Sequence, residues 1–275
     1  MLIRQIELDG YLYPPINTKF SFKDGLNFVV GANTRGKTLL LNSISTAFLG
    51  TNYQEQWYDQ WYHYSKQMPQ FYPNQEPKIR LEFDFEGSGY VLRKEFLIGK
   101  EAICELYSRD DDGTEALLCD GKNAIEECEN LSRIVSVGEG YPHDYPDDFS
   151  FFESEEYAWE REEIQNLLNQ FAPGRWPYHA IFEEPRPSLG QGAVRFIQYL
   201  SILLKTKKNG DRNLLLIDEI GHSLDTEYFV ALLRALHTEA SDSQVILTMP
   251  SHISSMIDES FAPLANHFIV LPNRH

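Results

Sequence analysis

The stretch Asn27–Leu41, NFVVGANTRGKTLLL, decides the fold of this chain. It begins as a short apolar strand, continues as a Gly-x-x-x-x-Gly-Lys-Thr loop and ends in the apolar residues that open a helix. Gly31 and Gly36 allow a tight backbone turn whose N–H groups point at phosphate oxygens, and Lys37 can reach the outer phosphates. The eight loop residues alone would also fit an ordinary glycine-containing turn, but the flanking strand and helix favour a site for ATP or GTP. The residues predicted to bind the nucleotide are Gly31, Ala32, Asn33, Thr34, Arg35, Gly36, Lys37, Thr38 and Leu39.

A second apolar stretch, Asn213–Glu219, reads NLLLIDE and ends in two adjacent carboxylates. Ligands of open α/β sheets bind at the carboxyl ends of the strands, so both acids are expected where the phosphates lie. Asp218 is placed to hold Mg²⁺ through water, together with the Thr38 hydroxyl, and Glu219 to polarise an attacking water. The alternative is a buried strand that simply meets a polar turn. Paired with the phosphate loop, the two acids favour nucleotide hydrolysis over binding alone.

A third motif, Ser188–Gly192, precedes a helix whose apolar positions are Val194, Ile197, Leu200, Ile202 and Leu203. A serine hydroxyl and free N–H groups at a helix N-terminus form an anion site. Taken alone, the motif equally fits a serine that caps a core helix. The chain thus carries a second candidate phosphate-binding end.

Together these motifs resemble those of the ABC-type ATPases, in particular the SMC, RecF and OLD-like ATPase heads. The stretch Ile217–Asp225 resembles their Walker B strand and D-loop, and Pro187–Gln191 resembles the LSGGQ signature, of which it keeps Ser188, Gly190 and Gln191. The resemblance implies a head-to-tail homodimer with ATP and Mg²⁺ at the interface, where the signature of one subunit closes over the ATP of the other.

Two family positions differ in this sequence. The glutamine that senses Mg²⁺ in the family should fall near Ile134–Glu139, which contains none, so hydrolysis is expected to be slow or partner-dependent. A switch histidine follows the next strand in the family, and His252 is available there, displaced by about two residues. We expect His252 either to contact the γ-phosphate or to be an ordinary surface residue.

The order of predicted elements gives the fold class. Residues 78–118 read as an antiparallel β meander, and from residue 187 onwards helices alternate with strands, which indicates a parallel sheet flanked by helices. The prediction is one α/β domain over residues 1–275, an ABC-type P-loop head with a mainly parallel sheet and an antiparallel β subdomain. No heptad repeat is present, so residues 139–185 form an acidic loop and helix in place of coiled-coil arms.

Charge and hydropathy limit the expected partners. The chain has 24 basic and 41 acidic residues, and this negative charge disfavours DNA binding by this chain alone. The acidic segment Glu139–Glu163 is either a solvated surface or a docking site for a basic protein partner. Apolar runs are shorter than the roughly 18–20 residues of a membrane span and the N-terminus reads as a strand, so we expect a cytoplasmic protein. Its three cysteines lack a zinc spacing and are expected to be reduced.

The resemblance also suggests a biological role. Proteins of this kind act in DNA repair or antiphage defence beside a nuclease or other effector, and this chain is expected to drive or gate such a partner. Two alternatives stay open. One is the nucleotide-binding subunit of a transporter, and the other is a non-hydrolysing, ATP-dependent scaffold for a toxin or nuclease.

Overall fold

A computed structural model describes residues 1–10, 18–32, 36–48, 77–97, 102–132, 134–137, 158–173, 196–197, 199–200, 203–204, 214–220, 224, 226–239, 243–250 and 267–271. They form two sheets with helices packed on them, which confirms the predicted α/β class. The helices are α1 (Lys37–Phe48), α2 (Gly121–Leu131), α3 (Ala158–Phe171) and α4 (Thr226–Glu239). None of the helices in these ranges is long and apolar enough to cross a membrane.

The first sheet is parallel and has the strand order β11-β3-β10-β9-β8. Its strands are β3 (Leu26–Gly31), β8 (Ile134–Val137), β9 (Leu214–Ile217), β10 (Gln244–Pro250) and β11 (His267–Val270). Leu214 and Leu216 of β9 face one core, whereas Leu215 and Ile217 face a second core on the opposite side. Burial on both faces explains why these strands are continuous apolar runs.

The second sheet is antiparallel and has the order β2-β1-β4-β5-β6-β7. Its strands are β1 (Leu2–Asp9), β2 (Thr18–Ser21), β4 (Lys78–Phe85), β5 (Ser88–Glu95), β6 (Ile103–Arg109) and β7 (Glu115–Asp120). Helix α1 lies between the two sheets and contacts β3 and β10 on one side and β4 and β5 on the other. The helix that follows the phosphate loop is therefore part of the core that joins both sheets.

The antiparallel sheet is larger than the predicted meander. The predicted meander ends at residue 118, inside β7, because β7 does not alternate: Leu117 and Leu118 are both exposed at the edge of the sheet. Helix α2 was not predicted. The first hairpin of the meander turns at Glu86 and Gly87, since Phe85 pairs with Ser88. Both turn residues have positive φ, 50° and 85°, as in a type I′ turn.

One face of the antiparallel sheet carries four arginines, each beside a carboxylate. Arg109 lies 2.6 Å from Glu82 and 3.1 Å from Asp84, which also pairs with Arg4 at 2.6 Å. Arg80 and Arg93 share Glu115, at 2.6 and 2.5 Å. The positive charges on this face are therefore neutralised by carboxylates of the same chain.

A buried lysine joins the antiparallel sheet to the end of α1. Lys94 of β5 is 2% exposed, and its Nζ donates hydrogen bonds to the carbonyl oxygens of Thr46 at 2.9 Å and Ala47 at 3.3 Å. Burial lowers the pKa of Lys94 to about 8, an effect opposed by nearby Cys104, Cys128 and Glu129. The last carbonyls of α1, which lack partners within the helix, receive a donor from this side chain.

Candidate functional site

The register of the parallel sheet brings the first two sequence motifs to one edge. Gly31, the last residue of β3, lies opposite Pro250 of β10, and Leu247 of β10 lies opposite Ile217, the last residue of β9. The loop after β3 and the acids after β9 therefore leave the sheet at the same carboxyl edge, with the end of β10 between them. This is the edge at which α/β sheets bind ligands.

The loop ends in a backbone conformation that suits glycine. Gly36 has a φ of 83°, in the left-handed region, and its carbonyl oxygen accepts a hydrogen bond from the Leu40 N–H at 2.9 Å. Helix α1 begins at the next residue, Lys37. A side chain at position 36 would be strained in this conformation, which accounts for the second glycine of the motif.

Lys37 is buried at the start of α1, with 4% of the residue exposed. Its Nζ donates hydrogen bonds to the carbonyl oxygens of Gly31 at 3.0 Å and Ala32 at 3.1 Å. Burial lowers the pKa of Lys37, and the carboxylates of Glu219 and then Asp218 oppose that shift. The ammonium therefore lies within electrostatic reach of both acids, as expected if the two motifs form one site.

Thr248 of β10 holds the two acids. Its Oγ1 donates a hydrogen bond to Asp218 Oδ1 at 2.6 Å and accepts one from the Glu219 N–H at 2.7 Å. Its carbonyl oxygen accepts a hydrogen bond from the Ile220 N–H at 3.0 Å. Thr248 is fully buried and Asp218 is 3% exposed, so these bonds lie in a largely water-free environment.

Glu219 has an unusual backbone conformation for an acidic residue. Its φ is 50°, in the left-handed region that side chains other than glycine rarely adopt. Unlike buried Asp218, the residue is partly exposed. Strained residues persist where surrounding contacts fix them, and many occur at functional sites. Here the backbone on either side of the Glu219 Cα is held by two hydrogen bonds to Thr248, from the N–H groups of Glu219 and Ile220.

The predicted site residues divide into two groups. Gly31, Ala32, Gly36, Lys37, Thr38, Leu39, Asp218 and Glu219 are described, with Thr38 and Leu39 in the first turn of α1. Asn33, Thr34, Arg35, Ser188, Gly190, Gln191 and His252 lie outside the described residues. The helix predicted after Ser188 is helical at 196–197, 199–200 and 203–204, where Ile197, Leu200 and Leu203 are buried as expected.

Thr248 was not predicted as a site residue. A signal was present, because Thr248 is a hydroxyl residue within the otherwise apolar run Val245–Met249. A polar group buried in a central strand needs a hydrogen-bond partner, and the end of the neighbouring strand is where the acids lie. The partner could not be chosen without knowing that β10 lies between β3 and β9.

The described groups fit a magnesium-bound triphosphate in their chemistry. The ammonium of Lys37 and the N-terminus of α1 supply positive charge and N–H groups for phosphate oxygens. The Thr38 hydroxyl and the Asp218 carboxylate are oxygen ligands of the kind that Mg²⁺ prefers. A site for an uncharged ligand would not require this set.

The fold of this chain is similar to that of several solved structures, whereas no protein-family model and no curated protein sequence matches the chain. Among solved structures, an SMC head bound to the C-terminal winged-helix domain of ScpA is similar over 100% of this chain and 95% of its own, with a TM-score of 0.63 and 14% identity. The SMC head domain from Thermotoga maritima covers 98% of this chain and 94% of its own, with a TM-score of 0.60 and 15% identity.

A further similar structure is the recombination mediator protein RecF of the RecFOR pathway. It covers 90% of this chain and 92% of its own, with a TM-score of 0.52 and 11% identity. These similarities extend over 90% or more of this chain. The chain therefore has the fold of SMC head domains and RecF.

Proposed function

We propose that this protein is an ABC-type ATPase that binds ATP and Mg²⁺ with the loop before α1 and hydrolyses ATP at the acid pair after β9. The observation that carries the proposal is the convergence of Lys37, Asp218 and Glu219 at one sheet edge, which follows from the register of β3, β10 and β9. The SMC- and RecF-like fold supports it, because the phosphate loop and the acid pair each follow a strand of the parallel sheet, in the chain order that the resemblance implies.

Each residue has a role that follows from its position. Lys37, which in the structure donates to two loop carbonyls, would turn its ammonium to the outer phosphates. Asp218 and Thr38 would hold Mg²⁺, which when bound neutralises the developing charge on the phosphate oxygens. Glu219 is partly exposed and would accept a proton from the attacking water through its carboxylate.

We also propose that two copies close around ATP. The support is the resemblance of Ser188, Gly190 and Gln191 to a signature motif, and the burial of Ile197, Leu200 and Leu203 in the core shared with Leu215 and Ile217 of β9. A signature anchored on that helix would be held rigidly relative to the acids. Hydrolysis would then open the dimer and pass a change of shape to a partner.

The proposed partner is a basic effector, a nuclease or another toxin, in DNA repair or antiphage defence. The acidic segment supports this, since Glu162 and Glu163 are exposed on α3. Among the described residues, Arg4, Arg80, Arg93 and Arg109 of the antiparallel sheet are each paired with a carboxylate, which disfavours phosphate binding by these arginines. We propose that any DNA contact requires the effector.

The test measures the rate of phosphate release from ATP by the wild type, Glu219→Gln and Lys37→Ala. The oligomeric state of each protein is measured separately, with and without ATP. We expect hydrolysis by the wild type, a loss of about 10²-fold or more in Glu219→Gln, and an ATP-dependent dimer that the same variant traps. Equal release near background with ATP still bound would instead favour the non-hydrolysing scaffold, which the missing glutamine near Ile134–Glu139 keeps as a second candidate.

A further inference from the structure

We propose that Thr248 is a positioning residue for the hydrolytic site, which sets the orientation of the Asp218 carboxylate and the backbone of Glu219 through one hydroxyl. The inference rests on the proposed ATPase function. It assigns a role in the site to a third strand, β10, in addition to the phosphate loop and the acidic strand end.

The hydroxyl of Thr248 acts as both a hydrogen-bond donor and a hydrogen-bond acceptor. It can donate one proton, and that proton is committed to Asp218 Oδ1 at 2.6 Å, a short bond of the charge-assisted kind. Its oxygen accepts the Glu219 N–H at 2.7 Å. With Oδ1 engaged in this way, Oδ2 would be the carboxylate oxygen available to hold Mg²⁺.

The backbone of Thr248 adds the third contact. Its carbonyl accepts the Ile220 N–H at 3.0 Å, so consecutive N–H groups at 219 and 220 are both bonded to the same residue. These two bonds bracket the left-handed turn at Glu219, where φ is 50°. Without them the glutamate would relax towards negative φ and its side chain would leave the direction it has in the folded site.

Serine and valine separate the two possible contributions of this side chain. Thr248→Ser keeps the hydroxyl and loses a methyl group, whereas Thr248→Val keeps the shape and loses the hydroxyl. A matched control is Thr46→Val in α1, because the Thr46 hydroxyl is also buried and has no hydrogen-bond partner among the described residues. A general effect of burying valine in place of threonine would appear in that control.

The experiment measures kcat and KM for ATP hydrolysis and, separately, equilibrium binding of a fluorescent ATP analogue with and without Mg²⁺. We expect Thr248→Val to lose about 10- to 100-fold in kcat with little change in affinity measured without Mg²⁺, and to lose most of the affinity that Mg²⁺ adds. Thr248→Ser should keep kcat and the Mg²⁺-dependent affinity within about threefold of the wild-type values, and Thr46→Val should have the wild-type values of both.

The outcomes distinguish this inference from the proposed function. Unchanged kcat and unchanged Mg²⁺ dependence in Thr248→Val would overturn the positioning role, as would equal losses in Thr248→Ser and Thr248→Val. Absence of hydrolysis in the wild type would contradict the ATPase proposal instead. The Mg²⁺-dependent binding of the variants would still decide the role of Thr248 in that case.

Discussion

The side-chain amide of Gln244 bonds both backbone groups of Ile3. Its Oε1 accepts the Ile3 N–H at 2.7 Å and its Nε2 donates to the Ile3 carbonyl at 2.9 Å, with a further bond to the Lys23 carbonyl at 2.9 Å. Gln244 is the first residue of β10 in the parallel sheet, and Ile3 lies in β1 of the antiparallel sheet. One fully buried side chain thus joins the two sheets through a pair of bonds like those between strands.

Replacing this glutamine by leucine is expected to destabilise the fold. Gln244→Leu leaves the backbone N–H and carbonyl of buried Ile3 without the partners that they have in Gln244, which should lower the free energy of unfolding by about 2 to 4 kcal/mol. Urea unfolding followed by circular dichroism measures it. The control is Gln170→Leu at an exposed position of α3, expected within about 0.5 kcal/mol of the wild type. Equal stabilities of the two variants would contradict the cross-sheet role.

The lowered pKa of Lys94 leads to a prediction of how stability changes at alkaline pH. Its pKa is about 8 in the folded protein and 10.5 as the ordinary value, so between these pH values the unfolded chain binds more protons. The contribution of Lys94 to the free energy of unfolding should therefore be least favourable below pH 8. It should rise by about 3 kcal/mol at most as the pH increases towards 10.5.

Comparison with Lys94→Met isolates that contribution, because the variant cannot titrate at this position. As the pH rises from 8 to 10.5, the free energy of unfolding of the wild type should increase relative to that of Lys94→Met. Denaturant titrations at several pH values measure the difference. A difference that stays constant over this range would show that the Lys94 ammonium is not held at a lowered pKa.

The left-handed conformation of Glu219 predicts an unusual order of stability. Glu219→Gly and Glu219→Ala both remove the carboxylate, but only glycine relieves the strain of a φ of 50°. Glu219→Gly should be more stable than Glu219→Ala by about 1 kcal/mol, although glycine normally costs stability. Thermal unfolding of the two variants measures this. Greater stability of the alanine variant would mean that residue 219 has an ordinary backbone.

The thiols should differ in reactivity. Cys104 and Cys128 are each 1% exposed, and only Cys119 is partly exposed, with its pKa raised by burial. In the native protein we expect at most one thiol to react with Ellman's reagent, and slowly, because the reactive species is the thiolate. All three should react once the chain is unfolded. Rapid reaction of two thiols in native buffer would contradict the described packing around Lys94.

Strands β3, β9, β10 and β11 of the parallel sheet and the position of the acid pair at a strand end could be predicted from the sequence, because buried parallel strands are unbroken apolar runs; strand β8 was not predicted. The bounds of β7 could not be predicted, since Leu117 and Leu118 are adjacent and both exposed, which leaves no alternation to detect. Edge strands are fixed by their neighbours: Tyr107 of β6 pairs with Leu117. Their position depends on contacts that are distant in sequence.

The same limit applies within the candidate site. Lys37, Asp218 and Glu219 each belong to a local pattern that names a chemical role. Thr248 belongs to none, because its role exists only when β10 lies beside β9 and its hydroxyl meets Asp218. The buried amide of Gln244 escaped prediction for the same reason, since its partner Ile3 is 241 residues away in the chain.

The central claim is that the loop before α1 and the acids after β9 form one site for ATP and Mg²⁺, and equilibrium binding tests it most directly. ATP affinity would be measured with and without Mg²⁺ for the wild type, Lys37→Ala and Asp218→Asn. We predict that Lys37→Ala weakens binding roughly ten- to a hundredfold and that Asp218→Asn loses the gain from Mg²⁺. Binding by Lys37→Ala as tight as that of the wild type would contradict the account.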